Sequence, residues 1–173
     1  FRLAYATFTL LVFRLLWGLV GGRWSRFRHF VRGPGAVLDY LRGRGRPHDE
    51  VGHSPLGALS VLAMLAVLAV QVGTGLISDD EIAFVGPLAR FVASDTAYAA
   101  TAFHKSWGKL LVLGLIALHI AAIAYYRLRR GKSLLPAMLH GDKPLPPDTP
   151  ASADGWRQRL LALAVAAASV AAT

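Results

Sequence analysis

Two histidines on one apolar stretch, His104 and His119, are the residues whose type and spacing best suit chemistry. Both lie in the segment 103–126, FHKSWGKLLVLGLIALHIAAIAYY, which is long enough to form a membrane-crossing helix. Fifteen residues separate them (119 − 104 = 15). On an α-helix this spacing gives a rise of about 22 Å and a net rotation of about 60°. Both imidazoles are therefore expected to leave by roughly the same helix face, one near each side of a membrane.

Metal coordination is the chemistry that this spacing favours. Zinc requires three or four ligands that converge on one point, and two side chains so far apart along a helix cannot meet. Haem iron needs one axial ligand from each side, so two haems at different depths, each sharing one histidine with a neighbouring helix, satisfy the geometry. The structural alternative places His104 at the membrane interface and bonds His119 to a backbone carbonyl in helix packing.

The composition is that of a membrane protein. Of the 173 residues, 54% are hydrophobic and only 17% are charged, which is unusual for a soluble domain. The formal net charge is +9, but the basic residues flank apolar segments, so phospholipid headgroups and not nucleic acid are the expected partners. The sequence contains no cysteine, which excludes disulfides and covalent haem attachment, so any haem is expected to be b-type.

The apolar segments predict an all-α membrane protein, a transmembrane helical bundle that forms a single domain over residues 1–173. Ser54 and Pro55 mark the start of the second helix, since Ser54 can serve as N-cap and Pro55 suits the first helical position. The last helix is too short to span a bilayer, so it is interpreted as a partial C-terminal helix. The four helices are expected at approximately 3–20, 56–77, 104–126 and 158–173.

The charged segments between these helices predict the topology. Arginine-rich segments at 21–55 and 127–157 are assigned to cytoplasmic loops, because positive charge is retained on the cytoplasmic side. The segment 78–103 reverses the bias with an excess of acidic residues, and it is assigned to a periplasmic loop. His104 is then the periplasmic histidine and His119 the cytoplasmic one.

Three further polar residues are candidates for binding a cofactor. Arg14 lies inside the first apolar segment, where its guanidinium either extends toward the basic interface or neutralises a haem propionate. His53 lies at the membrane edge, where it either bonds a propionate or a quinone or has an interfacial or capping role. Lys105 follows His104 directly, so it is assigned to a propionate, with extension to the interface as the alternative.

Four sequence blocks resemble a family, the bacterial, Ni-hydrogenase-type cytochrome b561 membrane cytochromes. Together they are specific, whereas any one of them alone would be weak. The blocks are FRLLWGLVG (13–21), GHSPLGALSVLAML (52–65), VGTGLISDDEIAFVGPLA (72–89) and FHKSW with LHIAAI (103–123). The resemblance implies a four-helix core that binds two b haems, with axial histidines from the first, second and fourth core helices. The fourth core helix contributes two ligands, which match His104 and His119.

The resemblance also predicts that this sequence is truncated at its N-terminus. The first core helix and the histidine of the second are missing, and the second-helix ligand would fall immediately before Phe1. His104 would pair with that ligand at a periplasmic haem, and His119 with the first-helix ligand at a cytoplasmic haem. Arg14, about 14 residues along from the missing ligand, would lie at the depth of the His119 haem.

The function that the resemblance implies is electron transfer in a bacterial inner membrane, which the chain would cross several times. The protein would be an electron carrier or a cytochrome subunit of an oxidoreductase, and not a hydrolase or transferase. It would relay electrons between the quinone pool and a periplasmic c-type cytochrome, dehydrogenase or hydrogenase subunit. Bis-histidine ligation leaves no open position on iron, so the haems would relay electrons without binding substrate.

Two alternatives stay open at this point. A stand-alone quinol oxidase of the same family would pass electrons to oxygen, and the sequence does not separate it from an electron-relaying subunit. From a different class, a haem-free membrane transport or assembly protein would use His119 as a proton relay, because intramembrane ionisable residues usually mark such pathways. A reduced b-type spectrum would exclude the second alternative.

Overall fold

The described part of the chain is built from α-helices, and its only β-type pairing is one isolated bridge between Asp79 and Val85. A π turn, His104–Gly108, joins the helices Ser94–Phe103 and Lys109–Arg129. The structure is a computed structural model that describes residues 2–45, 51–129, 131, 135–141, 147–153 and 155–173. The helices are α1 (Arg2–Val20), α2 (Phe27–Phe30), α3 (Pro34–Leu41), α4 (Pro55–Leu76), α5 (Ser94–Phe103), α6 (Lys109–Arg129), α7 (Leu135–His140) and α8 (Trp156–Ala171).

Within the described residues, three helices are long and apolar enough to cross a membrane. They are Arg2–Val20, Pro55–Leu76 and the continuous helix Ser94–Arg129. Large apolar side chains along them are exposed, such as Leu10 at 67% and Leu118 at 64%. Lipid tails can cover such surfaces, and an α-helix satisfies its backbone hydrogen bonds internally, as a bilayer requires. The predicted all-α membrane fold is confirmed.

Local sequence signals explain where these helices begin and end. At the start of α4, the backbone N–H of Gly57 donates to the Ser54 hydroxyl at 3.1 Å, and Pro55 is the first helical residue. The predicted cap is therefore confirmed, since such a hydroxyl satisfies one of the free N–H groups of the first turn. Helix α1 ends at Val20, and glycine is required at position 21 because a Cβ there would lie 2.4 Å from the carbonyl oxygen of Trp17.

The third membrane helix begins earlier than the sequence analysis predicted. Its first residue is Ser94, ten residues before the predicted start (104 − 94 = 10), so the assignment of 94–103 to a loop is wrong. Four alanines in this segment favour helix, because alanine has the highest helix propensity. Asp95 in the first turn also interacts favourably with the positive end of the helix dipole. At 36 residues, the helix is about 54 Å long. This length exceeds the thickness of the hydrocarbon core of a bilayer.

The chain divides into two compact units, Phe1–Leu65 with Pro147–Thr173, and Ala66–Pro146. In the first unit, α8 packs along α1, and the hydroxyl oxygens of Thr9 and Thr173 lie 2.6 Å apart at this contact. In this unit α8 is thus held by a helix from the other end of the sequence. The single-domain assignment stays a prediction.

The second unit contains a loop, residues 77–93, that is fixed onto α5. The N–H of Asp79 donates to the Thr101 hydroxyl at 2.9 Å, and the hydroxyl of Tyr98 donates to the carboxylate of Glu81. Since Tyr98 and Thr101 are one helical turn apart, they present one face to the loop. The loop is therefore anchored directly before the His104 turn.

The loops predicted to be cytoplasmic are described only in part. Short helices α2, α3 and α7 occupy portions of them. Residues 46–50, 130, 132–134, 142–146 and 154 of the segments 21–55 and 127–157 lie outside the described residues. The side of the membrane on which each loop lies stays a prediction.

Candidate functional site

The ring of His104 is held by the last two turns of α4. Its Nδ1 lies 2.9 Å from the carbonyl oxygen of Gln71 and 3.3 Å from the hydroxyl of Thr74. The ring also packs on Gly75, where an added Cβ would lie 2.9 Å from the His104 Cε1. Two polar contacts and one close backbone contact thus fix the orientation of a half-buried imidazole.

These contacts determine which ring nitrogen of His104 is available to a ligand. A carbonyl oxygen only accepts hydrogen bonds, so Nδ1 carries the proton that it donates to Gln71. In a neutral imidazole the other nitrogen, Nε2, then keeps its lone pair. Metal-binding histidines usually donate their second ring N–H to a carbonyl or carboxylate, which fixes the ring and raises its basicity. His104 therefore fits the requirements of an axial haem ligand through Nε2.

The backbone around His104 is a π turn and not a regular α-helix. It covers His104–Gly108, and such turns occur mostly as single insertions, frequently at functional sites. One inserted residue changes the register by roughly 100°, so the rotation from His104 to His119 becomes about 40° in the opposite sense. The two rings still leave by roughly the same face, although the helix between them is not uniform.

An apolar groove adjoins the His104 turn. Its volume is about 220 Å³, and its lining consists of Ala66, Val67, Val70, Phe103, Gly108 and Leu111. All six residues are apolar, and the small ones allow a flat group to approach the helix backbone closely. The groove is therefore an apolar surface next to the turn, and His104 is not among its lining residues.

The amine of Lys105 is bonded to a carboxylate. Its Nζ lies 3.0 Å from Asp80 Oδ2, and Asp80 Oδ1 accepts the backbone N–H groups of Ala83 and Phe84 at 2.9 and 2.8 Å. These two backbone hydrogen bonds, followed by Lys105, hold the pKa of the Asp80 carboxyl well below its usual range. The assignment of Lys105 to a haem propionate stays a prediction.

Arg14 and His53 meet on the same aromatic side chain, Phe30. The Arg14 guanidinium carbon lies 5.1 Å from the ring centroid of Phe27 and 5.8 Å from that of Phe30. The ring centroids of His53 and Phe30 are 4.8 Å apart. Phe30 is only 1% exposed, so this aromatic side chain is the buried centre that brings the two sequence-predicted residues together.

His53 has a ring nitrogen that requires an explanation. Its Nδ1 is buried and has no hydrogen-bond partner among the described residues. Burial, and to a lesser extent the positive charge of Arg14, lower the pKa of His53 from its ordinary value. The imidazole is therefore neutral at pH 7, and a buried polar atom of this kind is usually satisfied by a water or a ligand.

His119 lies on α6 in a different environment from His104. Its ring is half-exposed, and the described part of the chain provides no hydrogen-bond partner for it. The predicted packing alternative, a bond from His119 to a backbone carbonyl, is not seen among the described residues. Among the described residues, only the helix that carries His119 constrains the orientation of its ring.

The sequence analysis missed three residues that surround His104: Gln71, Thr74 and Gly108. The Gln71 amide Nε2 donates to the backbone carbonyl of His104 at 3.2 Å, and a Cβ on Gly108 would lie 2.0 Å from Gln71 Oε1. One signal was available, because Gln71 is the only amide side chain in the apolar run of α4. Polar groups at such positions are rare and usually functional.

Comparison with known proteins gives one family match. The family model described as prokaryotic cytochrome b561 matches residues 1–141, a range that includes every candidate residue above. No curated protein and no solved structure shows significant similarity to the chain. The chain belongs to the prokaryotic cytochrome b561 family and is a membrane protein that binds haem b and transfers electrons.

Proposed function

We propose that the protein relays electrons across a bacterial inner membrane between the quinone pool and a periplasmic redox partner, such as a c-type cytochrome, a dehydrogenase or a hydrogenase subunit. The observation that carries this proposal is the orientation of His104. Its Nδ1 donates to the Gln71 carbonyl, which leaves Nε2 as a ligand atom on a helix long enough to cross a membrane. His119 lies fifteen residues farther along the same helix.

In this proposal, His104 and His119 would each hold a separate b haem through a ring nitrogen. The rise between them is about 22 Å along a helix, so they cannot ligate the same iron. A bound haem b supplies a one-electron couple at its iron. The contribution of the chain is to hold neutral imidazoles at two depths, since a protonated histidine cannot ligate a metal.

In this proposal, Arg14 and His53 bind either a haem propionate or the quinone. Arg14 provides the positive charge, and its contacts with Phe27 and Phe30 keep the guanidinium in place. His53 provides a ring nitrogen, Nδ1, without a hydrogen-bond partner among the described residues; as an N–H donor it suits a quinone oxygen or a propionate. Lys105 is a further candidate for a propionate, although it would first have to leave Asp80.

The charge distribution supports the direction of insertion. The segment 21–45 holds six arginines against one aspartate, whereas the segment 78–95 holds four acidic residues against one arginine. Positive charge is retained on the cytoplasmic side of bacterial membranes. His104 is therefore on the periplasmic side and His119 on the cytoplasmic side, and electrons pass between those two sides.

The test is quinol-driven haem reduction in the protein purified from membranes. A quinol is mixed with the oxidised protein, and the growth of the reduced b-type spectrum gives the rate and the apparent affinity. We expect Arg14→Gln to lower the apparent affinity for quinol by roughly tenfold or more, because charge-assisted hydrogen bonds contribute about 1.5–3 kcal/mol. His53→Gln is expected to have a similar effect, with reduction by dithionite unchanged in both variants.

Arg32→Gln is the matched control, since Arg32 is exposed and belongs to the same basic segment. We expect it to behave as the parent protein does. A protein that contains haem but is not reduced by any quinol would contradict the quinone part of the proposal. Reoxidation by oxygen as fast as by a redox partner would instead support a quinol oxidase.

A further inference from the structure

Gln71 contacts His104 through both its backbone and its side chain. Its carbonyl oxygen accepts the His104 Nδ1 proton at 2.9 Å. Its side-chain Nε2 donates to the His104 backbone carbonyl at 3.2 Å. One residue of α4 therefore bonds the ring of the histidine and also the first peptide group of the π turn that carries it.

Gly108 makes room for the Gln71 amide. It is the last residue of the π turn and is buried, and a Cβ there would lie 2.0 Å from Gln71 Oε1 and 3.1 Å from its Cδ. The amide thus lies directly against the turn. Its Oε1 is buried without a hydrogen-bond partner among the described residues, an arrangement that costs free energy. The donated bond to His104 is the compensating contact that the structure provides for the side chain.

We propose that Gln71 is the positioning residue for the axial ligand His104, an inference that rests on the proposed haem ligation. Its carbonyl fixes which nitrogen of His104 carries the proton. Its amide fixes the π turn, whose relaxation to a regular α-helix would rotate His104 by roughly 100° relative to α6. Both contacts act on the same ligand, so Gln71 sets the direction in which Nε2 points, with Thr74 and Gly75 as further contacts of the ring.

The first test is Gln71→Leu in the haem-loaded full-length protein. Leucine has a similar volume and keeps the backbone carbonyl, but it lacks the amide donor. A haem with two histidine ligands does not bind carbon monoxide, whereas a haem that loses His104 does. Loss of an outer-shell partner typically lowers metal affinity by 10–100-fold, so the carbon monoxide-reactive fraction of the His104 haem is expected to rise by roughly tenfold. Total haem content is expected to stay at the parent value.

A second variant approaches the same contact from the other side. Gly108→Ala keeps the Gln71 amide but places a methyl group where Oε1 lies, so we expect the same rise in carbon monoxide binding. Gly114→Ala is the matched control, since no described atom lies within 4 Å of a Cβ at Gly114. In a Gln71→Ala background, Gly108→Ala is expected to add a much smaller effect, because Oε1 is absent and only the Phe103 carbonyl oxygen, 3.2 Å from the added Cβ, stays close.

Three outcomes distinguish failure of the Gln71 proposal from failure of the proposed haem ligation by His104. If neither Gln71→Leu nor Gly108→Ala changes carbon monoxide binding or the low-spin electron paramagnetic resonance signal, while His104→Ala loses one haem, only the inference is overturned. If His104→Ala keeps all its haem, the proposed ligation itself is overturned. If Gln71→Leu does not accumulate in membranes, Gly108→Ala decides alone, since it retains the amide.

Discussion

The two histidines of the long helix lie in contrasting surroundings. His104 opens a π turn and is bonded by Gln71 and Thr74, whereas His119 lies in regular α-helix without a described hydrogen-bond partner. Two histidines on one helix thus differ in the number of described contacts that fix the orientation of the ring. The difference indicates that His104 is oriented by α4, while the orientation of His119 depends on other groups.

The largest difference between the two histidines is expected from Gly75→Val. A Cβ at this position would lie 2.9 Å from the His104 ring, so the ring must turn away and give up its bond to Gln71. We expect haem affinity at the His104 site to fall by roughly 10–100-fold, with the His119 haem retained. Haem content per protein and the reduced spectrum provide the measurement.

Gly73→Val is the control for that substitution. It lies two residues away on the same helix and introduces the same side chain, but in the described part of the chain no atom lies within 4 Å of its added Cβ. Equal haem loss in the two variants would show that α4 does not orient His104, and the contrast between the histidines would then have no basis.

A smaller effect is expected from Thr74→Val, which keeps the side-chain shape but removes the hydroxyl near Nδ1. The lost acceptor makes the imidazole less basic, which favours the reduced iron and raises the midpoint potential of the His104 haem. A hydrogen bond contributes about 1 kcal/mol, and a one-electron couple shifts by 59 mV per 1.4 kcal/mol, so the rise should not exceed roughly 40 mV.

Redox titration with spectral separation of the two haems measures this shift. The potential of the His119 haem is the internal reference, and it is expected to stay constant. A shift of both haems by the same amount would indicate a general change in the protein, and it would contradict a specific contact at His104.

The smallest effect is expected from the ion pair between Asp80 and Lys105, whose contribution to stability depends on pH. The Asp80 side chain is 14% exposed and that of Lys105 is 60% exposed, so the pair is partly screened by solvent. Because folding lowers the pKa of Asp80, its contribution to stability is fully present above the unfolded value of about 3.9. That contribution is lost as the pH falls through the folded value.

Asp80→Asn removes this pH dependence. The difference in melting temperature between the parent and the variant is expected to stay constant from about pH 5 to 8 and to narrow below about pH 4. Asp39→Asn is the control, because the Asp39–Arg44 pair is exposed on both sides and lies far along the chain from His104. A difference that changes between pH 6 and 8 would contradict the assignment to Asp80.

Features set by neighbouring residues were predictable from the sequence. The start of α4 at Ser54 and Pro55 follows from local capping. The all-α membrane fold follows from apolar runs of sufficient length. The helix start at Ser94 was missed because an alanine-rich segment carries little hydrophobic pattern, and its helix propensity and the acidic first turn favour the helix instead.

Features set by residues distant in sequence were not predictable. The π turn depends on Gln71 of α4 reaching Gly108, 37 residues later (108 − 71 = 37). The meeting of Arg14 and His53 depends on the buried ring of Phe30. Lys105 was assigned to a propionate from its position beside His104, yet Asp80 of the preceding loop binds its amine. Spacing along one helix carries no information on such partners.

The central claim, that His104 and His119 ligate separate b haems, is tested most directly by a dithionite-reduced minus oxidised spectrum combined with a haem count. The full-length parent is compared with His104→Ala and His119→Ala after purification from membranes. The account predicts two haems per protein in the parent and the loss of a different one in each variant. Full haem content in both variants would contradict it, because the long helix would then contribute no axial ligand.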